Sequence, residues 1–358
     1  AGDVNTRQQF IGSAQNFATF FNSVASGLGD IQNNANEEIK STVQNINSIA
    51  EKIASLNHQI NVIEIQGGYA NELRDQRALL IDELSEIVPT EAEELPVQNS
   101  NDPELPTGAN YFTVKIGGQV LVDTYDYETL QCVARENKVN QSDMDGLYDV
   151  KWEKTGNSFK AGASSMSGTL KALFDIRDGN NGENFTGEAR VIDSKHVKVV
   201  SPSITDIEAM TVPESGTLTI YGKDYNYTNF TFETDANGKI TSYTFELEDA
   251  LSQQQSNKVD GMQASIGNSV DTMGVPYYMS QMNQFLRSFC SLFNDIMLKG
   301  QDLDGNATDY YSFFTGADQV TGEEYALGKS DKNHGNTTDC GASSYYKLTA
   351  SNICVSSI

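Results

Sequence analysis

The chain has 358 residues, 38 % of them hydrophobic, and a formal net charge of −25. That length accommodates roughly two or three domains with a sizeable buried core, and the acidity argues against nucleic acid or anionic membranes as partners, since both would repel it. No stretch approaches the roughly 20 apolar residues that cross a bilayer, and the start carries no cleavable signal pattern. The chain also lacks an initiator Met, so an original N-terminus is expected to precede it.

Residues 1–88 contain no proline and read as three helices. In the first, Phe10, Ala14, Phe17, Phe21, Val24 and Leu28 step by four and three, and Gly29 is its expected end. In the second, Ile39, Ile46, Ile53 and Ile60 form one row seven apart, with Thr42, Ile49, Leu56 and Ile63 as the companion row. A sustained heptad predicts a long helix supercoiled against a neighbour. At about 1.5 Å per residue, 31–65 would make a rod of roughly 50 Å. Gly67 and Gly68 permit a sharp reversal, and 70–88, ANELRDQRALLIDELSEIV, returns as the antiparallel partner.

In the returning helix Leu73, Leu80 and Ile87 recur every seven residues and Leu84 fills the alternate position, so Arg77 falls where a core residue is expected. One reading lays its aliphatic stem along the seam while the guanidinium reaches a carboxylate at the edge: Asp75, Asp82 or Glu64 of the facing helix. Another has a buried charged pair fixing the register of the hairpin. The spacing is compatible with both.

Four of the seven prolines (Pro89, Pro96, Pro103, Pro106) fall in the acidic stretch that follows, which reads as a helix stop and a linker. Its Glu91, Glu93 and Glu94 read as solvated linker charge rather than an acid–base pair. YFTVKIGGQVLVDTY (111–125) has the alternation and the Gly-Gly turn of a β-hairpin. GLYDVKWEKTGNSFKAG (146–162) offers further short strands with Trp152 as core anchor, and SGTLKALFDIRD (167–178) is a helical piece.

Residues 190–249 form a second β-rich block. Tyr225 and Tyr227, then Phe230 and Phe232, alternate with polar residues; Asn237-Gly238 supplies the turn, and Tyr243, Phe245 and Leu247 give the return strand. A small antiparallel subdomain with one buried face is expected. Helix returns weakly over 250–273 and strongly over 276–299, where Met279, Met282, Leu286, Phe289, Phe293 and Ile296 step by three and four.

The expected fold class is therefore α+β, elongated and multi-domain: a long-helix, coiled-coil-like bundle built from both chain ends, carrying antiparallel β-rich outer domains. The expected division is a helical rod domain over 1–95, a β-rich domain over 96–189 with the helical piece at 167–178, a β-rich inserted subdomain over 190–249, and the returning part of the rod domain over 250–358.

Candidate chemistry is sparse. His58, His196 and His334 have no ligand spacing, and H-E-x-x-H, G-x-S-x-G, P-loop and dinucleotide patterns are missing. DLDGNATDYY (302–311) lacks the residue order of a calcium loop, and ETDANG (233–238) reads as a turn. No catalytic, metal or cofactor-binding residue is assigned, no cofactor is expected, and the chain does not read as an enzyme. Among the cysteines (Cys132, Cys290, Cys340, Cys354), Cys290 reads as core packing. Cys340 and Cys354 are near enough in sequence for a bridge, with a free pair the preferred reading.

NELRDQRALLIDELSEIV (71–88) resembles the signature hairpin of the flagellar hook-associated protein 1 (FlgK) family. Three further stretches agree in the same order: SGTLKALFDIRD with its Arg177-Asp178 end, FNDIMLKGQDLDGN (293–306) followed by Phe313-Phe314, and the closing ASNICVSSI (350–358). The residues that carry the likeness, as structural residues, are Leu73, Arg74, Asp75, Gln76, Arg77, Leu170, Arg177, Asp178 and Gly300.

The resemblance implies a non-catalytic structural subunit of the bacterial flagellum that joins hook to filament. It implies an extracellular location reached by type III export without a cleaved signal peptide. Implied partners are the hook protein, a second junction protein, copies of the chain itself in a ring, and an export chaperone bound through a C-terminal segment this sequence does not include; nucleic acid and membrane insertion are not implied. By the same resemblance, 1–358 is a central piece without the terminal helical segments. Two alternatives stand beside it. A surface-exposed adhesin would use the aromatic block at 190–249 and would show Tyr or Phe on both faces of its sheet. Another flagellar axial protein, a filament or cap subunit, would not be expected to carry the LRDQR hairpin if it were flagellin.

Overall fold

The computed structural model describes residues 4–99, 106–301, 312–327, 337–339 and 344–357. Val4–Ile65 form one helix, α1, of 62 residues. The break expected at Gly29 does not occur. Glycine in a helix interior costs up to about 1 kcal/mol relative to alanine, yet a Cβ at Gly29 would sit 3.0 Å from Met144 Sδ. The residue is a notch for that side chain, so packing overrides the local preference.

The chain divides into two compact units. One holds Asn33–Glu136 and Gly146–Asp178; the other holds Ala1–Gln32, Asn137–Asp145 and Gly179–Ile358.

In the first of these, α1 turns at 66–67 into α2 (Asn71–Ile87). Next comes an antiparallel sheet in sequential order: β1 (Thr90–Gln98), β2 (Pro106–Ile116), β3 (Gln119–Asp123) and β4 (Asp126–Tyr127). β5 (Leu130–Ala134) pairs with β6 (Tyr148–Trp152), and α3 spans Thr169–Asp178. The heptad row Ile39, Ile46 and Ile53 is completely buried. It shares one core with Leu84 and Ile87 of α2, Val114, Ile116 and Leu121 of the sheet, and Trp152 and Phe174. The seam is thus covered by a sheet as well as by a helix. The acidic stretch expected to be a linker is a correction: its first half is β1. A free edge explains why this strand tolerates Pro96, because no neighbour needs its missing N–H.

In the other unit, β7 (Phe185–Val191), β8 (His196–Val200), β9 (Gly216–Ile220), β10 (Lys223–Thr234), β11 (Ile240–Leu247) and β12 (Gln263–Ile266) pair in the order β11-β8-β7-β12-β9-β10. The additional β10–β11 pairing closes a six-stranded barrel, with β14 (Thr337–Asp339) added to β10. The β-rich block therefore starts before 190 and takes its last strand from 263–266, inside the region expected to be helical. Only α4 (Gln253–Val259) is helix there, started by a Ser252/Gln255 capping box. A bulge between Tyr227 and Asn229 shifts the alternation of β10, so Tyr227, Phe230 and Phe232 all point into the barrel beside Tyr243 and Phe245.

α5 (Val275–Met297) follows, with Pro276 in its first turn. Its Phe289 lies 5.1 Å from Phe17 and its Phe285 5.8 Å from Phe21, ring centroid to centroid. Ile296, expected in that seam, is 61 % exposed. β13 (Phe314–Gly316) pairs with β15 (Ile353–Val355). Among the described residues no helix is long and apolar enough to cross a membrane.

Candidate functional site

The arginine in the α2 seam is buried, 5 % exposed, because three elements close over it. Its Nη2 donates to Glu94 Oε2 of β1 at 2.9 Å, and its Nη1 to Asn57 Oδ1 of α1 at 2.9 Å. The guanidinium plane lies 3.7 Å over the ring of Phe112 in β2, and Phe112 is the cross-strand neighbour of Glu94. The expected partners differ from this. Asp75 and Asp82 are exposed, and Glu64 is taken by Arg74. Arg74 grips Glu64 through two parallel hydrogen bonds of 2.7 and 2.8 Å, then reaches Glu94 Oε2 at 3.0 Å. One carboxylate oxygen thus accepts from both arginines.

The electrostatics follow from this geometry. The hydrogen bond from Arg74 holds Glu64 below the usual carboxylate range, and Glu64 in turn raises Arg74. Burial pulls Arg77 down from its ordinary value against the opposing pull of Glu94, but an arginine stays charged in a protein. Truncating one member of such a buried set leaves the rest unpaired, which is what makes it stiff.

A second cluster closes the far end of the same unit. Arg177 is wholly buried at the end of α3. It donates from Nε and Nη2 to Asp178 at 3.0 and 2.6 Å, and from Nη1 to Asn36 Oδ1 at 2.9 Å and the Tyr148 carbonyl at 2.7 Å. Arg135 approaches the other side of Asp178 at 3.0 and 3.3 Å and bonds Asp149 at 2.7 Å. Burial alone would raise the Asp178 pKa; Arg135 and then Arg177 outweigh it and hold it at about 2.

A third buried arginine was not singled out in the sequence. Arg287 of α5 is wholly buried and donates to the backbone carbonyls of Leu348, Glu208, Met210 and Tyr346 and to Gln141 Oε1. The signal was the same as at position 77, a cation inside an apolar helical seam beside Leu286.

The remaining residues of the family-like stretches are spread out. Leu73 is half-buried and Leu170 is in the core, whereas Asp75, Gln76 and Gly300 are exposed and join neither cluster. At the 233–238 hairpin tip, Asp235 accepts from the backbone N–H groups of Asn237 and Lys239, the behaviour of a turn residue. The calcium-loop-like stretch 302–311 and Cys340 lie outside the described residues; Cys132, Cys290 and Cys354 are free thiols. Among the described residues no group of three or more His, Cys, Asp and Glu is placed to hold a metal ion. The arginines of both clusters are held by internal partners, while Glu94 Oε1 is buried without a hydrogen-bond partner; what the clusters can do is hold elements in register.

The family profile described as "Flagellar hook-associated protein FlgK helical domain" matches residues 1–187, which contain both the hairpin and the Arg177–Asp178 clusters. Curated relatives agree. The chain is similar to a protein of Bacillus subtilis named "Flagellar hook-associated protein 1", at 42 % identity over 21 % of this chain and 15 % of that protein. It is similar to proteins of the same name from Escherichia coli, at 26 % identity over 69 % of this chain and 50 % of that protein, and from Salmonella typhimurium, at 37 % over 33 % and 21 %. The matched part thus spans about half the length of such a relative at most.

Proposed function

Since the chain belongs to the flagellar hook-associated protein FlgK family, we propose that it is a non-catalytic structural subunit of the bacterial flagellum that joins hook to filament outside the cell. The observation that carries this reading is the coincidence of the family match over 1–187 with the two buried arginine clusters built from LRDQR and the terminal RD of SGTLKALFDIRD. A subunit that transmits load needs elements that cannot slide, and charge pairs of fixed geometry resist sliding better than apolar contact alone.

On this reading the helices from both ends of the chain form one rod-like bundle and the β domains face outward. The partners are the hook protein, a second junction protein and identical copies meeting head to side in a ring. The nine family-like positions from Leu73 to Gly300 act structurally: Arg74, Arg77, Arg177 and Asp178 as ties, and the exposed Asp75 and Gln76 as positions open to a neighbour. Tyr227, Phe230, Phe232, Tyr243 and Phe245 of the barrel strands point inward, which suits a packed domain, while Tyr221 in the turn before β10 is exposed.

Immunogold electron microscopy of intact flagella, with an antibody raised against this chain, tests the proposal. Label confined to the point where hook meets filament is expected. Label along the filament, at its tip or over the cell body would refute it.

A further inference from the structure

The chain crosses from one compact unit to the other four times, at 32/33, 136/137, 145/146 and 178/179. A few residues from each crossing, on the side of the unit that contains α2 and α3, stands a member of one hydrogen-bonded network: Asn36 after the first, Arg135 before the second, Tyr148 and Asp149 after the third, Arg177 and Asp178 before the fourth. Asp178 is the hub, accepting from Arg177 on one side and Arg135 on the other. Arg177 continues to Asn36, 141 residues away in sequence, and the same Asn36 oxygen accepts the Tyr148 backbone N–H at 2.8 Å. Four chain segments remote in sequence are therefore joined by side chains into one ring.

Independent caps would look different. A capped helix end or strand end is satisfied by its own neighbours, whereas here, apart from the Arg177–Asp178 pair itself, the polar groups are satisfied by residues beside another crossing. The inner members are also withdrawn from water, with Arg177 at 0 % and Asn36 at 5 % exposure, while Asp149 at the rim is half-exposed, so a broken inner link is not replaced by solvent without opening its neighbours. The other side of the crossings carries buried polar anchors of its own. Gln32 donates to Asp143 at 3.0 Å and accepts from the Met144 N–H at 2.8 Å, and Asn180 accepts from the Val270 N–H at 2.9 Å.

We infer that the Asp178-centred network is a collar that makes the four crossings a single cooperative element, opening together or not at all. The apolar core supplies most of the stability of the unit; the collar adds the coupling between crossings.

Hydrogen exchange followed by mass spectrometry on the whole chain tests this with Asp178→Asn. The expected result is a joint rise in exchange, on the order of 100-fold, in the segments 33–36, 134–136, 146–149 and 175–178. The Arg74–Glu94 end of the hairpin and the barrel strands should keep their protection. A rise confined to 175–178 would overturn the inference, as would a uniform rise over the unit or its loss of fold. Asp149→Asn removes only the outer bond of Arg135 at a half-exposed side chain, and it carries the test if the first variant cannot be made. It should loosen the same four segments to a smaller extent; loosening of β5 and β6 alone would count against the collar.

Discussion

Arg77 and Glu94 form a 2.9 Å ion pair between the seam of α2 and the edge strand β1. The strand residue directly opposite Glu94 is Phe112, whose ring carries the arginine plane. A single guanidinium therefore reads two cross-strand neighbours and, through Asn57, the long helix as well. Sliding β1 by one residue would turn Glu94 to the other face, so the pair specifies the register of helix against sheet. Snorkelling alone does not describe it, because the charged end is buried together with its stem.

Removing this tie should be expensive. Arg77→Ala strands Asn57 Oδ1 and half of the Glu94 charge, a loss of about 3–5 kcal/mol. Arg77→Lys keeps the charge but not the fork or the flat face, and should lose roughly 1–3 kcal/mol. Trp152, the single tryptophan and 3 % exposed, reports on this unit, so urea titration by fluorescence measures both. Equal midpoints for Lys and wild type would show that geometry is unimportant here.

Gly168, the glycine of SGTLKALFDIRD, has φ +87°, and a Cβ there would lie 2.6 Å from the Ile87 carbonyl oxygen. Gly156 has φ +71° with open space around it. The left-handed backbone alone costs a non-glycine residue roughly 1–3 kcal/mol. Gly168→Ala should therefore destabilise clearly more than Gly156→Ala in the same titration, since only the former also clashes with backbone. Equal losses would mean that α3 can retreat from the end of α2.

Acid should weaken the same unit in a defined window. The folded-state pKa of Asp178 is depressed from the ordinary 3.8 to about 2, so its ionised form contributes stability that is fully present above about pH 4. That contribution, about 2 kcal/mol, is lost as pH falls through 3.8 toward 2. Glu64, lowered by Arg74, acts in the same direction. Urea midpoints measured from pH 6 to pH 2.5 should fall for the wild type, and Asp178→Asn should flatten part of that slope. Parallel curves for the two proteins would contradict the assignment.

The thiols should be quiet in the folded chain. Cys290 is wholly buried and burial pushes its pKa up to about 12, while Cys354 is pushed to about 11. At pH 8 neither offers much thiolate, the reactive form. Labelling with a disulfide reagent should leave Cys290 untouched until denaturant unfolds α5. Rapid native labelling at Cys290 would show that its helix seam opens.

Much of the helical part was legible in the sequence because burial there is periodic. The Ile39 to Ile60 row is buried as its spacing requires, and Trp152 anchors the core as a lone large aromatic should. The Gly-Gly turn at 117–118 and the α3 segment were legible for the same local reasons. Less was legible where the deciding partner is remote. β1 looked like a linker because its glutamates are mostly exposed and its proline is tolerated only by an edge. Glu94 differs from Glu93 in the face it turns to, and on that face Arg74 and Arg77 wait behind it. Barrel closure also escaped a local reading, since β12 is a short strand that pairs with β7 and β9 from well outside the aromatic block.

Deletion of the full-length gene in the source organism tests the junction role most directly, with electron microscopy of the cells and an assay of filament protein in the medium. The account predicts hooks without filaments and unassembled filament protein released outside. Intact filaments of normal length on the deleted cells would contradict it.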